Sequence, residues 1–332
     1  MNITTPIEWT DTTWNPVRGC TKVSEGCDNC YAEAIDNRWN GPGSFATVRL
    51  VRKALDAPLR WREPRMVFVN SMGDLFHDAV PDAFVIEVFT RMWWAPRHTF
   101  QVLTKRHARM AALLPRIEER LRGLEADLAL VDAPTTLTWP LPNVWLGVSV
   151  ETQRWADIRI PALVRTPAAV RFLSVEPLLG PVDLSRWLGV EWMESFQGWG
   201  AKRHWRPWLL ASPADRGGPG TGVGWVIAGG ESGRGARPPH PHWLRTLRDQ
   251  CQAAGVPFFF KQWGQWTPNL AGRGRQVDVL GDGRTLPPSA SPSAGAPEGS
   301  VRMRRAISKH DAGRELDGRV WDQLPARVVT HG

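Results

Sequence analysis

Short apolar runs that each end in polar residues recur along this 332-residue chain, and they constrain its fold more than any other feature. The run at 66–70, MVFVN, ends in SMGDLFHD, and an amphipathic segment with helical spacing then begins at Pro81. Five later apolar runs also end in polar residues, and they lie at 99–103, 143–148, 170–173, 224–228 and 256–260. Strands that alternate with helices indicate right-handed βαβ units and a parallel sheet.

These six strands, with a seventh leading into a cysteine-rich loop, predict an α/β fold. We expect a complete or partial TIM-like (β/α) barrel, formed by a single domain over residues 1–332. Each strand delivers charged or hydroxyl side chains just after its C-terminal end, where barrel enzymes carry their chemistry. A doubly wound open sheet is the alternative, and it would concentrate such residues at one switch point. The pattern therefore favours a barrel whose C-terminal mouth is lined by polar side chains and by the cysteine loop.

Two stretches interrupt this pattern. Residues 186–222 carry Trp, Gly and Pro without periodicity, which predicts an insertion or a lid. Residues 268–300 are rich in Gly, Pro, Ser and Ala, a composition typical of a flexible loop. The segment 301–332 regains a mixed apolar and charged character and is expected to pack back on the barrel.

Composition limits where in the cell the protein is expected and which partners it is expected to bind. No apolar run approaches the ~20 residues that span a bilayer, and the N-terminus lacks the basic and apolar regions of a signal peptide. These features predict a cytoplasmic protein with no membrane partner. The formal net charge is +8. Such a charge is compatible with a nucleic-acid partner, although the basic residues are scattered along the sequence.

Three of the four cysteines lie on one short stretch. Cys20, Cys27 and Cys30 have the spacing C-x6-C-x2-C, and Tyr31 follows directly. In a cytoplasmic protein such a group binds metal or carries redox chemistry more often than it forms disulfides. Three ligands leave an open position on a tetrahedral metal or on one iron of a four-iron cluster. The spacing allows either zinc, with a distant fourth ligand such as His77, or a 4Fe–4S cluster.

Eight motifs, in chain order, resemble those of one known family. It is the phage-type three-cysteine-motif family, also described as domain of unknown function 5131 and as the phage gene-product 37/68 family. The motifs are GCTKVSEGCDNCYAE, FVNSMGDLFHD, LTKR, WLGVSVE, RFLSVEPLLGP, WVIAGGESG, FFKQWG and AGRELDGRVWDQLP. That family in turn resembles a divergent branch of the radical S-adenosylmethionine superfamily. The usual cluster motif there is C-x3-C-x2-C, so the six-residue first gap is a departure that leaves the subclass open.

The resemblance implies a 4Fe–4S cluster held by Cys20, Cys27 and Cys30. Its open iron would chelate S-adenosylmethionine, and one electron from an electron donor would release a 5′-deoxyadenosyl radical that abstracts hydrogen from a substrate. The substrate is unknown, with a nucleotide or a nucleic acid as candidates, and a partner protein is a further candidate.

The chemistry of the strand-end side chains indicates roles for them. Asp74 is suited to accept from the cosubstrate ammonium, and His77 and Lys261 are the predicted catalytic acid–base groups. Buried ion pairs, such as Glu176 with Lys261, are the structural alternative. The residues predicted to bind the cofactor or cosubstrate are Ser71, Asp74, Lys105, Arg106, Ser149, Glu151, Glu176, Gly229, Gly230 and Glu231.

A second hypothesis belongs to a different functional class. The calculated isoelectric point is about 9.9, which is compatible with a zinc- or cluster-containing protein that binds nucleic acid without radical chemistry. The metal content of the anaerobically purified protein distinguishes the two hypotheses.

Overall fold

A parallel sheet of seven strands organises the fold, and its spatial order follows chain order. The computed structural model describes residues 5–130, 136–188, 193–194, 202–203, 222–288 and 298–325. The strands, numbered β1 to β7, are Thr12–Trp14, Met66–Val69, Thr99–Thr104, Val144–Ser149, Val170–Val175, Trp225–Gly229 and Phe258–Gln262. All six neighbouring pairs are parallel. The alternation of apolar runs and helical segments therefore predicted the sheet correctly.

Helices cover one face of this sheet. The longer ones are α1 (Tyr31–Asn40), α3 (Asp82–Trp93), α4 (His107–Ala129), α5 (Gln153–Arg165) and α6 (Pro241–Ala253), with single turns at α2 (Ala57–Arg60) and α7 (Lys309–Ala312). Short 3-10 turns lie at Glu25–Cys27, Ser44–Ala46 and Arg52–Ala54. Pro81 precedes α3, where its fixed φ and missing N–H suit a helix start.

The two faces of the sheet carry different side chains because strand residues alternate. On β4, Leu146 and Val148 belong to the large core that includes the helices, whereas Trp145 belongs to a separate aromatic cluster. Gly147 lies on the same face as Trp145, and a Cβ there would approach the ring of Phe172 to 2.6 Å. Glycine at this position therefore makes room for an aromatic ring inside the curved sheet.

The sheet is curled into a half-barrel. The Trp9 ring lies 4.7 Å from Phe68 of β2 and 6.1 Å from Trp225 of β6, measured between ring centroids. In a flat sheet β2 and β6 would be four strand spacings apart, or roughly 19 Å. Contact of one ring with both strands requires strong curvature. Strands β1 and β7 form the two edges of the sheet.

A C-terminal segment lies against the β7 edge. The backbone N–H of Phe260 donates to the carbonyl of Trp321 at 2.8 Å, and Asp322 forms an antiparallel bridge with Phe259. This edge is therefore covered by chain from the end of the sequence, which satisfies backbone groups that an exposed edge would leave open.

A smaller antiparallel sheet follows β7. Its strands are β8 (Trp266–Thr267), β9 (Gln276–Val279), β10 (Thr285–Leu286) and β11 (Val301–Arg305), in the order β8–β11–β9–β10. Strands β9 and β10 lie within residues 268–300, which were expected to form a flexible loop. The first part of this range therefore has regular secondary structure. Residues 289–297 lie outside the described residues, as do most of the residues of the expected insertion at 186–222.

Three two-stranded antiparallel sheets complete the described secondary structure. They pair Val17–Arg18 with Arg49–Leu50, Met193–Glu194 with Lys202–Arg203, and Glu315–Leu316 with Arg319–Val320. Within the described ranges, no helix combines the length and the apolar character that a bilayer crossing needs.

Candidate functional site

A cavity of about 850 Å³ is lined by residues that follow the strands of the main sheet and by the three cysteines. Its size falls in the range of small-molecule sites. Of the residues predicted from the sequence, the cavity is lined by Cys20, Cys27, Cys30, Ser71, Asp74, Lys105, Arg106, Ser149, Glu176, Gly230, Glu231 and Lys261. His77, Glu151 and Gly229 do not line it, and each has a contact that explains its position.

The segment 20–30, here called the cysteine loop, is held on one side by residues that follow β2 and β3. A guanidinium N–H of Arg106 lies 3.4 Å from the Cys20 sulfur, and another donates to the Thr21 hydroxyl at 2.8 Å. His77 Nε2 lies 2.9 Å from the same hydroxyl. His77 Nδ1 accepts from the Ala79 N–H, so the neutral ring carries its proton on Nε2 and donates to Thr21.

Burial lowers the pKa of His77, and the nearby Arg106 cation adds to this effect. The imidazole is therefore neutral at physiological pH. It holds Thr21 beside Cys20, which is a positioning contact at the edge of the cavity.

Glu151, which follows β4, lies beneath the middle of the cysteine loop. The Ser24 hydroxyl donates to Glu151 Oε1 at 2.8 Å. A Cβ on Gly26 would come within 2.3 Å of the Glu151 side chain, so only glycine permits this close approach. Next to it, the Trp155 indole N–H donates to Glu25 at 2.8 Å. The loop is thus packed directly on the end of β4 and the start of α5.

The Glu151 carboxylate is fully buried between two cations. Its distance to Lys105 Nζ is 2.5 Å and its distance to Arg159 Nη1 is 2.7 Å. Burial by itself would raise the pKa of Glu151, but Lys105 and Arg159 outweigh burial and hold the pKa below its ordinary value. The carboxylate is therefore ionised, and it orients the Lys105 ammonium at the cavity wall.

Arg237, in the segment after β6, holds the far side of the loop. Its guanidinium donates to the Glu25 carbonyl at 2.8 Å and lies 3.2 Å from the Asp28 carboxylate. It is itself held by the buried Glu231, with contacts of 2.6 and 2.9 Å. Hydrogen bonding to Glu231 raises the pKa of Arg237, so the group stays charged. Glu231 therefore acts here through Arg237.

Two further contacts hold the C-terminal end of the loop. The Tyr31 hydroxyl donates to the Ser71 carbonyl at 2.7 Å, and the Asn29 amide donates to the Gly235 carbonyl at 3.0 Å. A Cβ on Gly235 would approach the Asn29 side chain to 2.2 Å. The loop thus contacts segments that follow β2, β3, β4 and β6.

Asp74 is buried and accepts several hydrogen bonds from the protein. Thr104 Oγ1 lies 2.7 Å from Asp74 Oδ1, and the Lys105 N–H donates to Oδ2 at 3.1 Å. Arg106 approaches the same carboxylate at 3.5 Å. Asp74 therefore ties the end of β2 to the end of β3 and holds the Arg106 guanidinium.

A second ion pair lies between the ends of β5 and β7. Lys261 Nζ is 3.3 Å from Glu176 Oε2, and both side chains line the cavity. A Cβ on Gly229 would lie 2.5 Å from Glu176 Oε1, and one on Gly230 would lie 2.0 Å from the Trp263 carbonyl. Both glycines are thus required by close packing beside the cavity.

The three cysteine thiols are free and partly accessible. Burial raises the pKa of Cys20 to about 11, with a further increase from Asp74 that Arg106 opposes. Burial also raises the pKa of Cys30. Cys27 adds to the raised pKa of both neighbours. The Cys27 sulfur is therefore close enough to interact electrostatically with both Cys20 and Cys30.

This donor set fits an iron–sulfur cluster in its chemistry. Thiolates are the ligands that iron–sulfur clusters and zinc prefer, and all three line the same cavity. Across the described ranges, no three His, Cys, Asp or Glu side chains converge closely enough to hold one metal ion directly. A cluster distributes its thiolates over different irons, so it does not require three donors at a single point.

Alkylation of metal-free protein tests the thiol environment. Because the thiolate is the nucleophile, we expect the rate of Cys20 alkylation by iodoacetamide to rise with pH until about pH 11. Arg106→Gln should slow the reaction at any lower pH, because Arg106 lowers the pKa of Cys20. Mass spectrometry of peptides measures both rates. A rate that levels off near pH 8 would contradict this environment.

Several residues of the site could not be found by their sequence motifs. Thr21 and Ser24 lie within the cysteine motif without a distinguishing pattern, and Arg237 follows an irregular segment. Arg159 did carry a signal, since it is a charged residue among the buried positions Ala156, Ile160 and Leu163 of α5. A charge on the apolar face of a helix predicts a buried partner.

Comparison with known proteins gives one match. A family model described as "Protein of unknown function (DUF5131)" matches residues 4–325. No curated protein and no solved structure matches the chain significantly. The match covers the cysteine loop, all seven strands of the main sheet and the C-terminal segment against β7.

Proposed function

Since the chain belongs to the DUF5131 family, whose description assigns no activity, we propose from its site that it is a radical S-adenosylmethionine enzyme. One observation carries the proposal: three free thiols on a loop held by several strand ends line an 850 Å³ cavity together with polar strand-end residues. A barrel-like arrangement with its chemistry at the C-terminal strand ends is the corresponding fold-level expectation.

Cys20, Cys27 and Cys30 would hold a 4Fe–4S cluster. When bound, it would supply one-electron reduction of the cosubstrate sulfonium, which yields a 5′-deoxyadenosyl radical. An external electron donor is required for this chemistry. The protein's own contribution is to orient the thiols through the contacts of Arg106, Glu151 and Arg237.

The cavity wall offers groups for an amino acid and a nucleoside. Lys105 and Lys261 present ammonium groups, each paired with one carboxylate, and an ammonium has three N–H donors. Either can therefore also bind a ligand carboxylate. Ser149 and Ser174 are register partners on β4 and β5 and both line the cavity, where their hydroxyls suit ribose. Lys261 is also the predicted acid–base group that lines the cavity.

Anaerobic reconstitution tests the proposal. Protein treated with iron and sulfide should become brown and bind about four irons per chain. Addition of S-adenosylmethionine and a strong reductant should then produce 5′-deoxyadenosine, with none formed when the reductant is omitted. A colourless protein with one zinc per chain would overturn the proposal.

The alternative is a zinc- or cluster-containing nucleic-acid-binding protein without radical chemistry, and the net charge of +8 favours it. In that case the reconstituted protein should bind an oligonucleotide with strong salt dependence and leave S-adenosylmethionine intact. Absence of cosubstrate cleavage together with such binding would replace the first function by the second.

A further inference from the structure

A second cleft, of about 370 Å³, lies between the segment after β6 and the smaller sheet. Four arginines line it, and the indoles of Trp243 and Trp266 form part of its wall. None of the described residues that line the cleft is acidic. The cleft-lining arginines are Arg234, Arg237, Arg275 and Arg305. We call this set the arginine cleft.

Hydrogen bonds link Arg305 to the backbone of two other arginines that line the cleft. The Arg305 side chain donates to the carbonyl of Arg234 at 2.6 Å, and its backbone N–H donates to the carbonyl of Arg275 at 2.7 Å. The Arg305 guanidinium also lies 5.8 Å from the Trp266 ring centroid. Because like charges repel, a cluster of this kind is stabilised when an anion binds between its members.

Two of the four guanidinium groups are available to a ligand. Arg237 is engaged with Glu231 and Asp28, and Arg305 with backbone carbonyls. Over the described part of the chain, the side chains of Arg234 and Arg275 form no hydrogen bond or ion pair, and both are exposed. A guanidinium presents two parallel N–H donors that match the oxygens of a phosphate group.

We propose that the arginine cleft binds a phosphate-bearing anion, supplied by a free nucleotide or by a polynucleotide strand. The number of cations favours phosphate, since a pyrophosphate or successive backbone phosphates carry several charges whereas a carboxylate carries one. The volume lies within the range of small-ligand sites. The cleft shares Arg237 with the contacts that hold the cysteine loop, but the proposal requires neither the cluster nor S-adenosylmethionine.

Charge reversal with a matched control tests it. Arg275→Glu changes the cleft, whereas Arg120→Glu makes the same change of net charge at an exposed position on α4. The probes are inorganic pyrophosphate, measured by calorimetry, and a labelled 12-nucleotide single strand, measured by fluorescence anisotropy. Arg275→Glu should weaken binding by about tenfold or more, as expected for loss of charge-assisted hydrogen bonds. Arg120→Glu should stay within about twofold of the unsubstituted protein.

The binding results distinguish a free nucleotide from a polynucleotide and test whether the cleft binds phosphate at all. Pyrophosphate binding that Arg275→Glu removes supports the proposal with a free nucleotide as the source. Binding of the strand alone, removed by Arg275→Glu and kept by Arg120→Glu, supports it with a polynucleotide as the source. Equal losses in both variants, or no binding of either probe, would overturn it. Arg234→Glu gives an independent second variant, because this side chain is exposed and its backbone carbonyl is unchanged.

Discussion

Replacement of Cys27 by serine should leave the protein unable to hold a complete iron–sulfur cluster. A serine hydroxyl does not provide the soft thiolate that such clusters use. After anaerobic reconstitution, we expect iron to fall from about four per chain to below about one, and 5′-deoxyadenosine formation to be lost. Iron analysis, visible absorbance and chromatography of the products measure these effects.

Cys251→Ser is the matched control. Cys251 is fully buried on α6, and burial raises its pKa. It does not line the cavity. Its substitution should leave iron content unchanged even if it lowers the melting temperature. Equal iron in wild type, Cys27→Ser and Cys251→Ser would show that the three-cysteine loop does not hold the metal. If the wild type binds one zinc and no iron, and Cys27→Ser loses that zinc, the alternative function is favoured.

Glu151→Ala should produce the largest loss of stability of the substitutions considered. It removes the carboxylate that neutralises Arg159, whose side chain is 0% exposed. Breaking a buried ion pair by removing one partner costs roughly 3–5 kcal/mol, because the remaining charge stays buried. Ser24 would also lose its acceptor, so the cysteine loop should become more accessible. Urea unfolding measures the first effect, and proteolysis within residues 20–30 measures the second.

Glu118→Gln provides the comparison, since Glu118 forms an exposed i, i+4 pair with Arg122. Its substitution should change the free energy of unfolding by no more than about 0.5 kcal/mol. The pKa of Glu151 is lowered in the folded protein. Its contribution to stability is therefore present above the unfolded-state pKa and is lost as pH falls through the folded-state pKa. A stability of Glu151→Ala equal to that of Glu118→Gln would contradict a buried pair.

Much of the site could be predicted because parallel strands end at the same edge. Once the apolar runs are taken as successive parallel strands, the residues that follow them must come together. Lys105, Ser149 and Lys261 were found in this way, and all line the cavity. The degree of curvature of the sheet was harder to predict. It depends on strand tilt and on the packing of Trp9 against distant strands, and neither has a local sequence pattern.

The inward or outward orientation of individual side chains could not be predicted. Glu151 was expected to face a ligand, but its carboxylate is turned beneath the cysteine loop toward Arg159. Asp74 was expected to meet an ammonium, which stays a prediction: it lines the cavity, and its oxygens also accept from Thr104 and from backbone N–H groups. These outcomes depend on which donors the neighbouring elements bring within reach. Arg237 was missed because it lies in an irregular segment, beyond the polar motif that directly follows β6.

The contacts of the cysteine loop have a consequence for biosynthesis. The three thiols precede their partners along the chain, because Arg106, Glu151 and Arg237 all follow the cysteine loop. A nascent chain that ends before β6 therefore carries all three thiols without the arginine that holds the far side of their loop. The full set of contacts around the three thiols therefore forms only after translation has passed Arg237.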